Sequence, residues 1–284
     1  MQKLTVLFLL IATIVACHDP PQANQPVYIF QYSSLPIPEK VMKAHENTVG
    51  ITIEFNMGNR SFLIPYPSSK LISSGSGFFT KKDLIVSARH IFMDSIINLA
   101  RQGLSFTLDN DGIPKSTFYS YRFYGTTPSP ESPINFPLKL ISMGKPGEHR
   151  DSITLRAENY PKNLKILRLA ENVKPGDLVY ISGYVPVFSL YPNIFGSYET
   201  VQSDTTNELF EGRVKKIINN MPINQVGVNT LYKIEGKITL GYSGGPVFNT
   251  DGEVVGMAIE YIRDANFIYV LSSKDIKVNL GKIK

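Results

Sequence analysis

The most informative stretch of the chain surrounds Ser243, in the run GYSGGPVF at 241–248. A serine hydroxyl becomes a useful nucleophile when a tight turn presents it, a base accepts its proton and backbone N–H groups face the oxyanion that forms. Gly241 allows the chain to turn so that its own N–H and that of Ser243 converge on one point, while Gly244 and Gly245 allow neighbouring backbone to approach closely. The run therefore predicts a nucleophilic serine, and a glycine-rich β-turn that carries a solvent-facing serine is the alternative.

Two further residues are candidates for the groups that such a serine needs. His90 ends the run LIVSARH at 84–90, and a histidine at a strand end beside small residues can expose one ring edge, as a general base requires. Asp151 opens an alternating strand and can reach the Nδ1 side of a histidine, which fixes the tautomer. His90 as a structural histidine and Asp151 as a turn residue are the alternatives. His149 is a weaker candidate base, because the alternation places Asp151 on the inward face.

Short alternating runs around these residues predict the β-strands that position them. Two runs at 75–80 and 84–88 flank a Lys-Lys-Asp turn and predict a hairpin that ends beside His90. The turn NTDG at 249–252 predicts a second hairpin directly after the serine stretch. Further strands are expected at 49–55, 151–156, 177–184, 210–218, 231–238 and 254–259. The fold class is therefore expected to be all-β.

Three other segments receive local predictions. The polar and apolar residues at 39–47 predict a helical turn, with His45 at the surface. The proline-rich segment 125–138 and the aromatic segment 185–198 predict two long loops. Their contribution to the site is left open.

The composition excludes several classes of protein. A hydrophobic content of 43% and a charged content of 19% over 284 residues describe a globular protein, with room for one large all-β domain or two small ones. Lys and Arg are scattered along the chain, so the net charge of +5 does not favour nucleic-acid binding. The sequence contains neither a P-loop nor a Cys/His cluster with metal-ligand spacing, so no cofactor and no metal are predicted.

The N-terminus has the pattern of a signal peptide. Residues 1–16 run from Lys3 through an apolar segment that is too short to span a membrane, and they are expected to be removed. Cys17 is the only cysteine, so an intramolecular disulfide is excluded. The run IVAC at 14–17 resembles the lipobox of bacterial lipoproteins, in which the cysteine is acylated and becomes the new N-terminus. An ordinary signal peptide followed by an incidental cysteine is the alternative.

The lipobox resemblance implies a location and an anchor. Residues 17–44, rich in proline at their start, are expected to form a flexible tether from acylated Cys17. The chain is then held on a membrane of the bacterial cell envelope. His18 stands where an aspartate signals inner-membrane retention in many lipoproteins, which favours the outer membrane.

The order His90, Asp151, Ser243 along the chain is the order of chymotrypsin-like enzymes. With this order of candidate residues, the sequence resembles a trypsin-like serine peptidase of the bacterial Deg/HtrA type. The resemblance implies two six-stranded antiparallel β-barrels, with the active site in the cleft between them. It places the peptidase domain at 45–284, the first barrel at about 45–158 and the second at about 165–278. The stretches that carry it are GSGFF (75–79), LIVSARH (84–90), DSITL (151–155), GDLVYISGY (176–184) and GYSGGPVFNTDGEVVGM (241–257).

The resemblance also implies a mechanism for the hydrolysis of peptide bonds. Ser243 attacks the peptide carbonyl, His90 takes and returns the proton, and Asp151 orients His90. The N–H groups of Gly241 and Ser243 form the oxyanion hole. Protein or peptide substrates are expected, without a cofactor or metal.

In this family, residues just before the serine loop and on the strand after it line the primary specificity pocket. Lys237 at the pocket base is then expected to favour an acidic substrate side chain, and Tyr261 to narrow the mouth. The expected substrate-binding residues are Lys237, Ala258, Ile259 and Tyr261.

The sequence departs from the family pattern at Tyr242, where Asp or Asn usually precedes the serine, and at Arg89, where a small or amide residue usually precedes the histidine. The chain ends at Lys284, so the PDZ module of many Deg/HtrA enzymes is not expected.

Two other functions remain as alternatives: a catalytically silent barrel pair that acts as an envelope scaffold, and a serine esterase.

Overall fold

The chain forms fourteen strands and three helices in the part that the computed structural model describes. That part comprises residues 36–57, 71–101, 103–109, 113–116, 119–127, 134–143, 151–159, 161–192, 198–223, 226–236, 241–262, 266–281 and 283. All of these residues lie within one unit, Ser33–Lys284.

The strands in chain order are β1 (Thr48–Met57), β2 (Leu71–Lys81), β3 (Leu84–Ser87), β4 (Thr107–Leu108), β5 (Pro114–Lys115), β6 (Tyr119–Thr126), β7 (Asn135–Ser142), β8 (Ile153–Ala157), β9 (Leu178–Pro192), β10 (Tyr198–Ile223), β11 (Val226–Glu235), β12 (Pro246–Phe248), β13 (Val254–Ile262) and β14 (Phe267–Ser272). The helices are α1 (Glu39–His45), α2 (His90–Arg101) and α3 (Ser273–Gly281). No helix in the described ranges is long and apolar enough to cross a membrane.

The first barrel closes in the strand order β1-β2-β3-β8-β7-β6, with antiparallel neighbours throughout. Its interior follows from the period of two along each strand, since alternate side chains face the same side. On β1 the residues Val49, Ile51, Ile53 and Phe55 are all fully buried. Phe92 of α2 stacks on Phe55 with ring centroids 5.8 Å apart, so α2 is anchored in the same core.

The second barrel closes in the order β10-β11-β14-β13-β12-β9, again with antiparallel neighbours. The predicted hairpin turn after the serine stretch is confirmed between β12 and β13. The Asn249 side-chain oxygen accepts the N–H groups of Asp251 and Glu253, both at 3.0 Å, and Gly252 has a φ of 76° that favours glycine. The all-β prediction of two six-stranded antiparallel barrels is therefore confirmed.

Helix α1 confirms the predicted helical turn at 39–47, and it packs on the second barrel although it precedes the first in the chain. Val41 and Ala44 are buried, and Lys40 Nζ lies 2.8 Å from Asp251 Oδ1 on the β12–β13 turn. A Cβ on Gly252 would lie only 2.5 Å from the Lys40 carbonyl oxygen, so the helix rests directly on this turn.

The surface position predicted for His45 is wrong. His45 ends α1 half-buried, with Nδ1 2.7 Å from Ser182 Oγ on β9. Ser182 Oγ also lies 2.6 Å from Thr48 Oγ1, and the Asn207 side-chain amide donates to the His45 carbonyl at 3.3 Å. Burial lowers the pKa of His45 to about 4. The last turn of α1 faces β9, which no local pattern in the sequence reveals.

Both long-loop predictions are corrected by the strands. In the first, residues up to Thr126 belong to β6 and residues from Asn135 onward belong to β7, so the connection is shorter than 125–138. In the second, β9 continues to Pro192 and pairs with β10 along its whole length, with one register shift between Gln202 and Asp204. In the described part of the chain, β12 pairs with β9 only at Tyr180 and Ile181. Beyond them, the pairing partner of β9 among the described strands is β10, and a strand paired on one side tolerates the prolines within it.

Candidate active site

The serine loop, residues 241–245, is held in a tight turn between β11 and β12. Gly241 and Gly244 adopt φ values of 102° and 86°, in the region that favours glycine. The N–H of Gly245 donates to the Tyr242 carbonyl at 2.8 Å, which closes the turn. The N–H of Gly244 donates to the carbonyl of Ala258 at 2.8 Å, and the N–H of Ala258 donates to the carbonyl of Gly245 at 2.9 Å. The turn is thus tied to β13, and the side chain of Ser243 is half-buried.

Close contact with both barrels explains the glycines of this loop. A Cβ on Gly244 would overlap the carbonyl oxygen of Ser76 on β2, and a Cβ on Gly245 would overlap the carbonyl oxygen of Ser182 on β9. The expectation that these glycines allow close backbone approach is therefore confirmed.

His90 and Asp151 meet as the sequence predicts. Asp151 Oδ2 lies 2.7 Å from His90 Nδ1, and Asp151 Oδ1 accepts the backbone N–H of His90 at 2.9 Å. Both carboxylate oxygens are thus committed to one histidine, whose side chain is 26% exposed while that of Asp151 is 15% exposed. Because an ionised carboxylate can only accept, Nδ1 carries the proton and Nε2 is the ring nitrogen that can act as a base.

The serine loop lies against the residues on both sides of His90. A Cβ on Gly244 would come within 2.8 Å of the Ala88 backbone nitrogen, two residues before His90. A Cβ on Gly75 would lie 2.9 Å from the Ser243 carbonyl oxygen and 3.0 Å from Cγ2 of Ile91, one residue after His90. The structure therefore brings the elements that carry all three candidate residues to one place between the barrels.

The two departures from the family pattern take defined positions. Tyr242 is buried with its ring against Gly183, where a Cβ would lie 2.8 Å from a ring carbon, and its hydroxyl donates to Glu208 Oε2 at 3.3 Å. Arg89 has a buried Nε without a hydrogen-bond partner among the described residues. Burial lowers the pKa of the Arg89 guanidinium, and the charges of Asp151 and Asp94 oppose that shift.

The expected specificity residues are only partly described. Ala258 and Ile259 are both buried, and Ala258 binds the serine loop through its backbone. Lys237 and the side chain of Tyr261 lie outside the described residues, as do His149 and Cys17. Among the described side chains, no group of three or more His, Cys, Asp or Glu could hold a metal ion.

The sequence analysis did not identify the polar residues that contact the serine loop and its neighbours. Ser76, Ser182 and Glu208 contact the serine loop or its neighbours although none carries a motif of its own. Ser76 falls inside the run at 75–79 that carries the resemblance, and this is the one signal that could have drawn attention to it.

Comparisons with known proteins agree with the two-barrel fold. A family model for the trypsin-like peptidase domain matches residues 75–257, which is more than half of the chain. The structure is similar to that of the Rv3671c protease from M. tuberculosis in its active form, with 19% sequence identity, a TM-score of 0.53, and coverage of 90% of this chain and 93% of that chain. The inactive form of the Rv3671c protease gives 18% identity, a TM-score of 0.51, and coverage of 88% and 99%. These identities show a shared fold. No curated protein sequence matches the chain.

Proposed function

Because the chain belongs to the family of trypsin-like peptidase domains, we propose that it hydrolyses peptide bonds with a catalytic triad of Ser243, His90 and Asp151. As a serine-type peptidase it acts on protein or peptide substrates. The proposal assigns Ser243 as nucleophile, His90 as general base and then general acid, and Asp151 as the group that orients His90.

The paired contact between Asp151 and His90 is the observation that carries the proposal. One carboxylate oxygen holds the His90 backbone and the other holds Nδ1, at 2.9 and 2.7 Å. This arrangement fixes both the ring orientation and the tautomer in which Nε2 accepts a proton.

The proposed reaction begins when Ser243 Oγ attacks the carbonyl carbon of the scissile bond while His90 Nε2 takes the hydroxyl proton. The carbonyl oxygen becomes an oxyanion, which the N–H groups of Gly241 and Ser243 stabilise. His90 then gives its proton to the leaving amine, and an ester of Ser243 remains. A water molecule, deprotonated by His90, attacks this ester and releases the acid and the free serine.

The direction of the Ser243 N–H follows from peptide planarity. A trans peptide places its N–H opposite its carbonyl oxygen. The Tyr242 carbonyl is held by the N–H of Gly245 at 2.8 Å, so the Ser243 N–H of the same peptide points to the other side. The N–H groups of Gly244 and Gly245 are themselves bound to Ala258 and Tyr242, so Gly241 and Ser243 are the donors that the proposal assigns to the oxyanion.

We further propose that the enzyme acts from a lipid anchor on Cys17 in the bacterial cell envelope. The lipobox-like run at 14–17 and the proline-rich segment that follows support this location. An acidic preference through Lys237 is part of the same proposal. Peptide libraries should show acidic residues at the cleavage site, and Lys237→Ala should abolish the preference.

Covalent labelling tests the proposed nucleophile. Purified protein and the variant Ser243→Ala are incubated with a fluorophosphonate probe, with Ser272→Ala as a control that removes a buried hydroxyl elsewhere in the second barrel. Labelling of the parent and of Ser272→Ala, and its loss in Ser243→Ala, is the expected result. An unlabelled parent with an intact β-sheet spectrum would instead favour the silent scaffold. Turnover of esters without turnover of any peptide would favour the esterase.

A further inference from the structure

We propose that Ser76 is a positioning residue for the oxyanion hole, because its hydroxyl and backbone fix the peptide groups around Ser243. This inference rests on the proposed function. Ser76 lies on β2 of the first barrel and is fully buried. It contacts the second barrel at three backbone atoms.

The hydrogen bonds of the Ser76 hydroxyl have one consistent assignment. A hydroxyl has one proton to donate and lone pairs that accept. Ser76 Oγ accepts the backbone N–H of Tyr184 at 2.7 Å. Its proton therefore goes to the carbonyl oxygen of Gly241, also at 2.7 Å. Both partners are buried backbone groups of the second barrel, on β9 and on the serine loop.

The backbone of Ser76 is committed as well. Its N–H donates to the Ser243 carbonyl at 2.8 Å. Its carbonyl accepts the Ser87 hydroxyl at 2.6 Å. Ser87 lies at the end of β3, so a hydrogen bond within the first barrel positions Ser76, which in turn binds the serine loop of the second barrel.

Three consecutive carbonyl groups of the serine loop each accept a hydrogen bond. Those of Gly241 and Ser243 are bound by Ser76, and that of Tyr242 is bound by the N–H of Gly245. Gly241 has the least intrinsic restraint of these residues, because glycine adopts its φ of 102° and other conformations at similar energy. The hydrogen bond from Ser76 Oγ restrains it to the one conformation that the proposed oxyanion hole uses.

Loss of this hydroxyl should therefore affect the transition state more than substrate binding. The oxyanion exists only after attack on the carbonyl, so its stabilisation appears in kcat. Removal of a whole oxyanion-hole donor costs about 10²–10³ in kcat. A donor that is present but less well restrained should cost less, and we expect a fall of about 10- to 100-fold in Ser76→Ala with KM within about twofold.

The test compares Ser76→Ala with Ser272→Ala in the full chain. Ser272 is an equally buried serine at the end of β14, and its hydroxyl donates to Asp275 Oδ2 of α3 at 2.8 Å. Rates on a fluorogenic peptide that the parent cleaves are divided by the number of sites that a fluorophosphonate probe finally labels, which corrects for unfolded protein. Affinity for a peptide aldehyde, whose adduct carries the oxyanion, is measured alongside.

The expected result is a fall in kcat per labelled site for Ser76→Ala, an equal loss of aldehyde affinity, and parent-like values for Ser272→Ala. A parent-like kcat per site in Ser76→Ala would overturn the inference while the proposed function stands. A parent protein that reacts with neither probe nor peptide would overturn both. Should Ser76→Ala not fold, Ser76→Cys keeps the side-chain size with a weaker donor, and an unchanged kcat there would equally overturn the inference.

Discussion

His90 and Asp151 show how strongly the proposed chemistry depends on which ring nitrogen holds a proton. Asp151 accepts from both the backbone and the ring of His90. The carboxylate is the feature that matters, since a neutral amide of the same shape has only one accepting atom. The geometry can therefore survive a substitution that removes the function.

We predict that Asp151→Asn lowers kcat by about 10³–10⁴ while the fold is retained. The asparagine oxygen can still accept the His90 N–H, but its NH₂ group then faces Nδ1 and forces the proton onto Nε2. That tautomer cannot accept the serine proton. Peptide turnover and far-ultraviolet circular dichroism measure the two parts of this prediction. Asp83→Asn, which removes the carboxylate that pairs with Arg156, is the control, and equal losses in both variants would contradict the assigned role.

Among the structural elements, the serine loop and β2 are in direct contact, and we expect the reactivity of Ser243 to depend on that contact. We predict that Gly244→Ala abolishes fluorophosphonate labelling, because the added Cβ overlaps the Ser76 carbonyl and the φ of 86° disfavours alanine. Gly176 is a matched control. It has a φ of 95° but no atom within 4 Å of the added Cβ, so Gly176→Ala should cost about 1 kcal/mol of stability and leave labelling intact. Full labelling of Gly244→Ala would show that the loop can move away from β2 without loss of function.

The junction of α1 with β9 gives a prediction about pH. Burial holds the pKa of His45 at about 4, below the ordinary value of 6.5. The unfolded chain therefore binds more protons between these values, so this group's contribution to stability is full above about pH 6.5 and declines as the pH falls towards 4.

The difference in unfolding free energy between the parent and His45→Gln isolates that contribution, because other titrating groups cancel. We expect the stability of the parent relative to His45→Gln to fall by about 2–3 kcal/mol between pH 7 and pH 4.5. Urea denaturation at a series of pH values measures it. A difference that stays constant across this range would mean that His45 does not titrate in the way that its burial requires.

Local patterns in the sequence predicted those elements whose cause is local. The alternation of Val49, Ile51, Ile53 and Phe55 defines the inner face of β1, and the side chain of Asn249 builds its own turn. The extension of β9 was missed because the aromatic segment 185–198 was interpreted as a loop, whereas its strand structure depends on pairing with β10. His45 was missed because its partner, Ser182, lies far along the chain.

In the molecule as a whole, the candidate catalytic residues could be predicted from local patterns, whereas the residues that hold them in place could not. The types and order of His90, Asp151 and Ser243 pointed to one chemistry before any contact was known. The hydrogen bonds of Ser76 to Gly241, Ser243 and Tyr184 join two barrels, and each joins residues more than a hundred positions apart. Such a contact depends on the closure of both barrels, so no window of sequence contains it.

The proposed anchor places this two-barrel enzyme relative to a lipid surface. The proline-rich run after Cys17 reaches α1 at Glu39. An extended chain of that length spans about 60–70 Å at the ~3.1 Å rise per residue of polyproline II. With the proposed anchor, we expect the peptidase to act on substrates close to the membrane.

We predict that the protein, expressed in bacteria, incorporates an alkyne analogue of palmitate and that Cys17→Ser abolishes the incorporation. The thiol of the only cysteine is the proposed attachment atom, and several acyl chains on one terminus give stable membrane binding where a single chain does not. His18→Ala, which keeps the thiol, should retain the label. In-gel fluorescence after coupling to an azide dye measures all three proteins. Equal labelling of Cys17→Ser and the parent would contradict the proposed lipid anchor. The proposed triad lies far along the chain from Cys17, so peptide hydrolysis by the two proteins should agree within about twofold in either case.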